Sequence, residues 1–213
     1  MALLKPRASY HHGNLQAALV AAAKKMVREN GAEHLSLRAV AAQVGVSPSA
    51  AYHYFPDKDA LIAGVGEALF DELADMQERE MSKYPGVGAK AAIARFRALG
   101  RAYFDWATKE PNLFRLMFGA FCSIEVDDGS LSRRDESRAW QLLQSSLDDL
   151  LDTGAMSAAM RPYGEILAWS SVHGASALIV AGQLPTEAFD SLLDALNLSL
   201  GVSIEKNSRK VHK

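Results

Sequence analysis

Apolar residues recur at three- and four-residue intervals along almost the whole chain, and no stretch alternates apolar with polar long enough for a strand, so the pattern predicts an all-α fold. Leu15, Leu19, Ala22, Ala23, Met26 and Val27 share one helical face, with Asn14 placed to cap it and Asn30-Gly31 to end it. Ser36 is placed to cap a short helix over Leu37–Val44, which Gly45 stops. Ser47 then opens another, with Pro48 in the first turn, where a missing amide is harmless. After Phe55-Pro56, Asp57 is placed to start a long helix through Leu61, Ile62, Val65, Leu69, Leu73 and Met76 to about residue 83. Further helices are expected near 89–108, 111–118, 133–152, 161–181 and 186–202, with a loop over 122–132. These elements divide into a flexible basic arm (1–13), a three-helix N-terminal domain (14–60), a larger helical domain (61–204) and a disordered basic tail (205–213).

Length and composition then narrow the class. A chain of 213 residues with 49% hydrophobic residues and a net charge of -2 belongs among ordinary globular proteins. The charge is uneven. Residues 1–60 carry seven Lys/Arg against four acids, or +3, and residues 206–213 add +4, which leaves -9 for the stretch between. One cysteine, Cys122, allows neither an intramolecular disulfide framework nor a multi-cysteine zinc site and fits a reducing compartment. It reads as a small apolar residue or, alternatively, a reactive thiol. The opening residues lack the apolar core of a signal peptide, and polar residues interrupt the apolar run 166–184. A cytoplasmic location with no membrane partner is expected.

Function concentrates in the two short helices about Gly45-Val46-Ser47, whose order is that of a helix-turn-helix. Leu37, Val40, Ala41 and Val44 make one apolar face, Val46 fills the turn, and Ala51 with Phe55 forms the inward pair of the second helix. The opposite face offers Ser47, Ser49, Ala50, Tyr52 and His53, small or planar groups suited to a DNA major groove. Ser36, Arg38, Tyr52, Tyr54 and Lys58 can donate to phosphates, contacts that fix register without reading bases. Lys5 and Arg7 either follow the DNA or form a solvated start.

The run Gly45-Val46-Ser47 to Tyr52-His53-Tyr54-Phe55-Pro56-Asp57-Lys58-Asp59-Ala60-Leu61 resembles the DNA-binding domain of the TetR family of repressors, over about residues 10–62. The resemblance implies dimers on palindromic operators, with Ser36, Arg38, Tyr52 and Lys58 at phosphates and Ser47, Pro48, Ser49 and Tyr52 near base edges. The family more often has His directly before the Phe; here His53-Tyr54 stand in swapped order, so either can be the one that reaches DNA. Tyr10-His11-His12-Gly13-Asn14-Leu15 and Trp169-Ser170-Ser171-Val172-His173-Gly174 further resemble a subgroup named for Trp, His and Gly in its C-terminal domain.

The larger domain is rich in aromatic and sulfur side chains. Phe104, Phe114, Met117, Phe118, Phe121, Trp140, Trp169 and His173 are candidates for a cavity that takes a small, largely apolar effector. Plain core packing, with His173 a satisfied core histidine, is the competing reading. The last two helices offer Ala175, Leu178, Ile179 and Gly182, and Phe189, Leu192, Leu193, Leu196 and Leu200, as faces for a second copy of the chain. A two-fold interface there would set two reading helices about one DNA turn apart. Enzyme chemistry has little to stand on: His11-His12 cannot share a helix face, Asp127-Asp128 and Asp148-Asp149 lack a matching base, and no phosphate loop, nucleophile elbow or zinc motif occurs. The expectation is a homodimeric repressor of double-stranded operator DNA that a small-molecule effector releases, with a ligand-dependent activator as the alternative within the family, and with no cofactor, no metal and no catalytic residues. A helical interaction module without an operator is the alternative from another class.

Overall fold

A computed structural model describes residues 12–121 and 137–203, and among them every regular element is helical. The chain divides into two compact units. The first comprises residues up to Ala68 together with Arg115–Ser123; the second comprises Leu69–Phe114 and the residues from Ile124 onward. The division falls inside one long helix. The expected arm up to residue 11, the loop after Phe121 with Cys122, and the basic tail lie outside the described residues, whereas His12 and Gly13, expected in the arm, are helical.

In the first unit, α1 (His12–Asn30) packs against α2 (Leu37–Val44) and α3 (Pro48–Tyr54). Helix α1 starts before Asn14, which stands inside the helix rather than at its cap. Leu19, Ala23 and Val27 bury the predicted face. A single 3-10 turn, Ala32–His34, follows Gly31 and was not foreseen, because three residues are too few to show a period. Helix α2 runs between its predicted ends. Ser36 Oγ accepts from Ala39 N at 3.2 Å, and Gly45 closes the helix at φ 80 with its amide on the Ala41 and Ala42 carbonyls. Left-handed backbone of this kind favours glycine.

Helix α4 (Lys58–Met81) opens on Asp57, whose Oδ1 accepts from Ala60 N at 2.7 Å. Gly64 seats the phenyl ring of Phe55 against this helix: a Cβ there would come within 2.9 Å of the ring. The end of α3 thereby rests on the start of α4 through a close contact that a larger residue at position 64 would crowd.

In the second unit, α5 (Ala89–Lys109) is central and packs on α7 (Arg138–Asp152) and α8 (Gly164–Val180), while α9 (Ala188–Ser199) lies on α8. Between α5 and α7 come α6 (Pro111–Leu116) and a π-helical turn, Met117–Phe121. Helix α7 starts at Arg138 instead of 133 because Ser137 is extended and caps it. A 3-10 turn, Arg161–Tyr163, precedes α8, and α9 is shorter at both ends than expected.

Arg95 anchors the α4–α5 connection by donating to Asp149 on α7 and to the Tyr84 and Gly86 carbonyls. Helices α5 and α9 run antiparallel, matched by Arg97–Asp194 at 2.5 Å, Arg101–Asp190 at 3.0 Å and a Phe104–Phe189 ring stack at 4.0 Å. Arg161 joins Asp148 and Glu165; burial pulls its pKa down, and the two carboxylate hydrogen bonds more than offset that, leaving it raised. Hydrogen bonds to Asp75 and Glu78 likewise raise the pKa of Arg138.

Candidate nucleic-acid interface and effector site

The outward face of α3 is built from local rules. Ser47 Oγ accepts from Ala50 N at 3.2 Å, Pro48 occupies the first turn, and the inward pair Ala51 and Phe55 is buried. A seven-residue helix cannot hold itself by propensity, so this capped and anchored frame is what keeps its orientation. Turning Ala51 and Phe55 inward leaves Ser47, Pro48, Ser49, Tyr52 and His53 exposed, with Tyr52 44% exposed. Tyr54 is half-buried, its ring edge-on to His53 at 5.5 Å. Ser36 and Arg38 are exposed at the start of α2. Lys58 is exposed too, and its Nζ donates to the Ala32 carbonyl at 3.1 Å, a bond that a phosphate would have to replace. Lys5 and Arg7 lie outside the described residues.

In the second unit the structure brings together Phe114, Trp169 and His173, adding Tyr103 and Trp106. Tyr103 Oη and His173 Nδ1 share a hydrogen bond of 2.8 Å. Trp169 stacks on the imidazole at 5.1 Å, Phe114 lies 5.5 Å from it, and Trp106 meets Phe114 edge-on at 6.2 Å. Phe104 is instead engaged in the Phe189 stack, and Trp140 is buried on α7. Met117 is buried and Phe118 half-buried in the π-helical turn, which groups with the first unit; the side chain of Phe121 lies outside the described residues. Tyr103 and Trp106 stand in the aromatic-rich stretch that the sequence marks for a cavity, but the pairing of Tyr103 with His173 has no local signal, since the two are 70 positions apart.

A separate open groove of about 460 Å³ is lined by Glu80, Tyr84, Arg97, Arg101, Asp105 and Asp190. Its arginines are already matched to carboxylates. Asp148 and Asp149, weighed above as an acid-base pair, serve as ion-pair partners of Arg161 and Arg95.

One expectation about the last two helices needs correction. Ala175, Phe189, Leu193, Leu196 and Leu200 are buried within the unit rather than offered outward. The helical period placed them on an apolar face, but α5 and α8 already cover it. The large apolar residues left exposed on these helices are Ile166, Leu178 and Leu198, the last 80% exposed.

Two sequence-family models match the chain: that of the bacterial regulatory proteins of the tetR family over residues 19–65, and that of the tetracyclin repressor-like C-terminal domain over residues 96–196. The chain belongs to the TetR family of transcription regulators. Among curated proteins, this TetR-family chain is 29% identical over 126 residues to the nucleoid occlusion factor SlmA of Photobacterium profundum, covering 59% of each. It is 27% identical over 106 residues to an HTH-type transcriptional regulator of Mycobacterium tuberculosis, covering 50% of this chain and 44% of that one. The match thus spans about half the length of these relatives. Among solved structures, a protein of unknown function from Rhodococcus sp. RHA1 superposes with TM-score 0.72 at 26% identity, over 92% of this chain and 97% of that one. The regulator FadR of Bacillus subtilis, solved with stearoyl-CoA, superposes with TM-score 0.67 at 14% identity over 84% and 96%, a likeness of fold alone. No helix among the described residues is long and apolar enough to cross a membrane.

Proposed function

We propose that this TetR-family chain is a repressor that binds a palindromic operator as a homodimer and leaves it when a small, largely apolar molecule binds the second unit. What carries the reading is the outward face of α3, free of bulk at its capped start and rigidly seated through Phe55 on Gly64. Ser47, Pro48, Ser49 and Tyr52 are assigned to base edges, and Ser36, Arg38, Tyr52 and Lys58 to phosphates. Of the swapped pair, His53 is assigned to the groove, since it is exposed while Tyr54 is half-buried beside it. The dimer contact is assigned to α8 and α9, where Leu178 and Leu198 are exposed apolar residues. The effector site is assigned to the cluster about His173, with Phe114 and Trp169 from the predicted set and Tyr103 as its hydrogen-bond partner.

The test is a gel shift with the promoter DNA flanking the chain's own coding region against random duplex of equal length. Specific binding at least roughly a thousandfold tighter than to random DNA is expected at physiological salt. Lys58→Ala should weaken binding to all sequences and flatten the salt dependence by about one unit of slope, as one lost phosphate contact does. Tyr52→Ala should weaken specific binding the more. Equal, weak binding to both duplexes would refute the operator assignment.

A further inference from the structure

The face of α3 assigned to the DNA groove carries no permanent charge. The helix from Pro48 to Tyr54 contains no Lys, Arg, Asp or Glu, so His53 is the one side chain on it able to become a cation. Neutralising phosphates supplies much of the affinity of a protein for DNA. Of the residues assigned to DNA, only Arg38 and Lys58 are permanent cations, and Lys58 must first leave the Ala32 carbonyl. A further cation on α3 would therefore count for much.

His53 stands exposed in the last turn of α3, with the Tyr54 ring edge-on at 5.5 Å. The carbonyl end of a helix attracts positive charge. On α3 itself the other ionisable groups are the phenols of Tyr52 and Tyr54. On the elements packed about it they are Lys24, Lys25, Arg28 and Glu29 of α1, Arg38 of α2, and Asp57, Lys58 and Asp59 at the start of α4. Lys25 pairs with Glu29, Asp57 Oδ1 accepts from Ala60 N, and none of these groups is ion-paired to His53 among the described residues. The imidazole is open to solvent and held by no carboxylate, so an approaching duplex can decide its charge.

The acceptors on DNA favour one form. A neutral imidazole brings one donor and one acceptor, whereas an imidazolium brings two donors and a positive charge. Phosphate oxygens and the N7 and O6 atoms of guanine in the major groove only accept. Binding that prefers the imidazolium takes up a proton, so it is strongest at low pH and weakens as pH rises through the range where histidines titrate, about pH 5 to 8.

We propose that His53 contacts DNA as an imidazolium, so that each protomer takes up about one proton on binding and operator affinity falls as pH rises through neutrality. This rests on the operator reading above and adds its regulation: a proton acts on the DNA-binding face directly, without an effector in the second unit.

The test follows binding of the full chain to the promoter duplex of the gel shift by fluorescence anisotropy, from about pH 6 to about pH 8 at one ionic strength. The operator Kd is expected to rise at least about tenfold over that range, with His53 of both protomers contributing. Calorimetric titrations in phosphate and in Tris, whose heats of ionisation differ, should show net proton uptake. His53→Asn keeps a donor and an acceptor without the charge; it should remove most of the pH dependence and the proton uptake and leave the melting temperature unchanged. His53→Lys should bind at about pH 8 as tightly as the parent does at about pH 6, with little pH dependence. A histidine that only shaped the fold would move the melting temperature and not the proton count. Random duplex of equal length locates the acceptor: a pH dependence shared with random DNA assigns a phosphate, one confined to the operator assigns a base edge, and either supports the proposal. Specific binding that stays flat with pH, or a pH dependence that His53→Asn leaves in place, overturns the proposal alone. Equal, weak binding to both duplexes at every pH overturns the operator reading and the proton linkage with it.

Discussion

The two units treat their polar residues in opposite ways. In the helix-turn-helix every serine and aspartate that shapes the backbone finishes its hydrogen bond within three residues: Ser36 to Ala39, Ser47 to Ala50, Asp57 to Ala60. Gln77, Ser146 and Ser176 are buried in the second unit, and each keeps a side-chain atom with no hydrogen-bond partner among the described residues. A surface that must present itself rigidly to a fixed partner is completed by local chemistry.

The contrast can be broken first at its anchor. Phe55→Ala should cost about 3–5 kcal/mol in chemical denaturation and abolish specific DNA binding, because a buried ring holds α3 to α4. A loss under about 1 kcal/mol would mean that the reading helix is held elsewhere. Gly64→Ala tests the same seat from the other side: with Phe55 already 2.9 Å from the new Cβ, overpacking should cost about 1–3 kcal/mol.

The same chemical change should then have opposite signs in the two units. Ser47→Ala removes a cap and should destabilise by about 1 kcal/mol, whereas Ser176→Ala removes an unpaired hydroxyl and should be neutral or stabilising by up to about 1 kcal/mol. Equal effects, read from denaturant midpoints at constant slope, would erase the distinction. Least of all should come from the exposed bridge between α5 and α9. Asp194→Ala removes the partner of Arg97 and should cost less than about 1 kcal/mol, vanishing in high salt.

How far each region was legible follows from the same difference. Helices α2 and α3 sit at their predicted ends because their stops are single residues with one physical reason each: a serine oxygen that caps, a glycine that tolerates left-handed backbone, a proline without an amide. The inward pair Ala51 and Phe55 followed from the helical period. Asn14 misled because a residue able to cap does not have to be the one that does, and the helix already runs at His12. On α9 the period correctly found the apolar face, but could not say whether the chain's own helices or a second copy covers it; for Phe189, Leu193 and Leu196 the cover is the chain itself.

The amino-acid sequence by itself determined the all-helical architecture, the helix-turn-helix and the side of α3 that faces outward, since each depends on residues within a few positions of one another. Only the tertiary structure decided that Tyr103 meets His173, that Phe104 is taken up by Phe189, and that Ser176 is buried with no partner among the described residues. Those outcomes join residues 70 and more positions apart, or depend on which neighbours fail to arrive. Periodicity reports which face of a helix is apolar, but pairing and its absence are settled by packing in three dimensions.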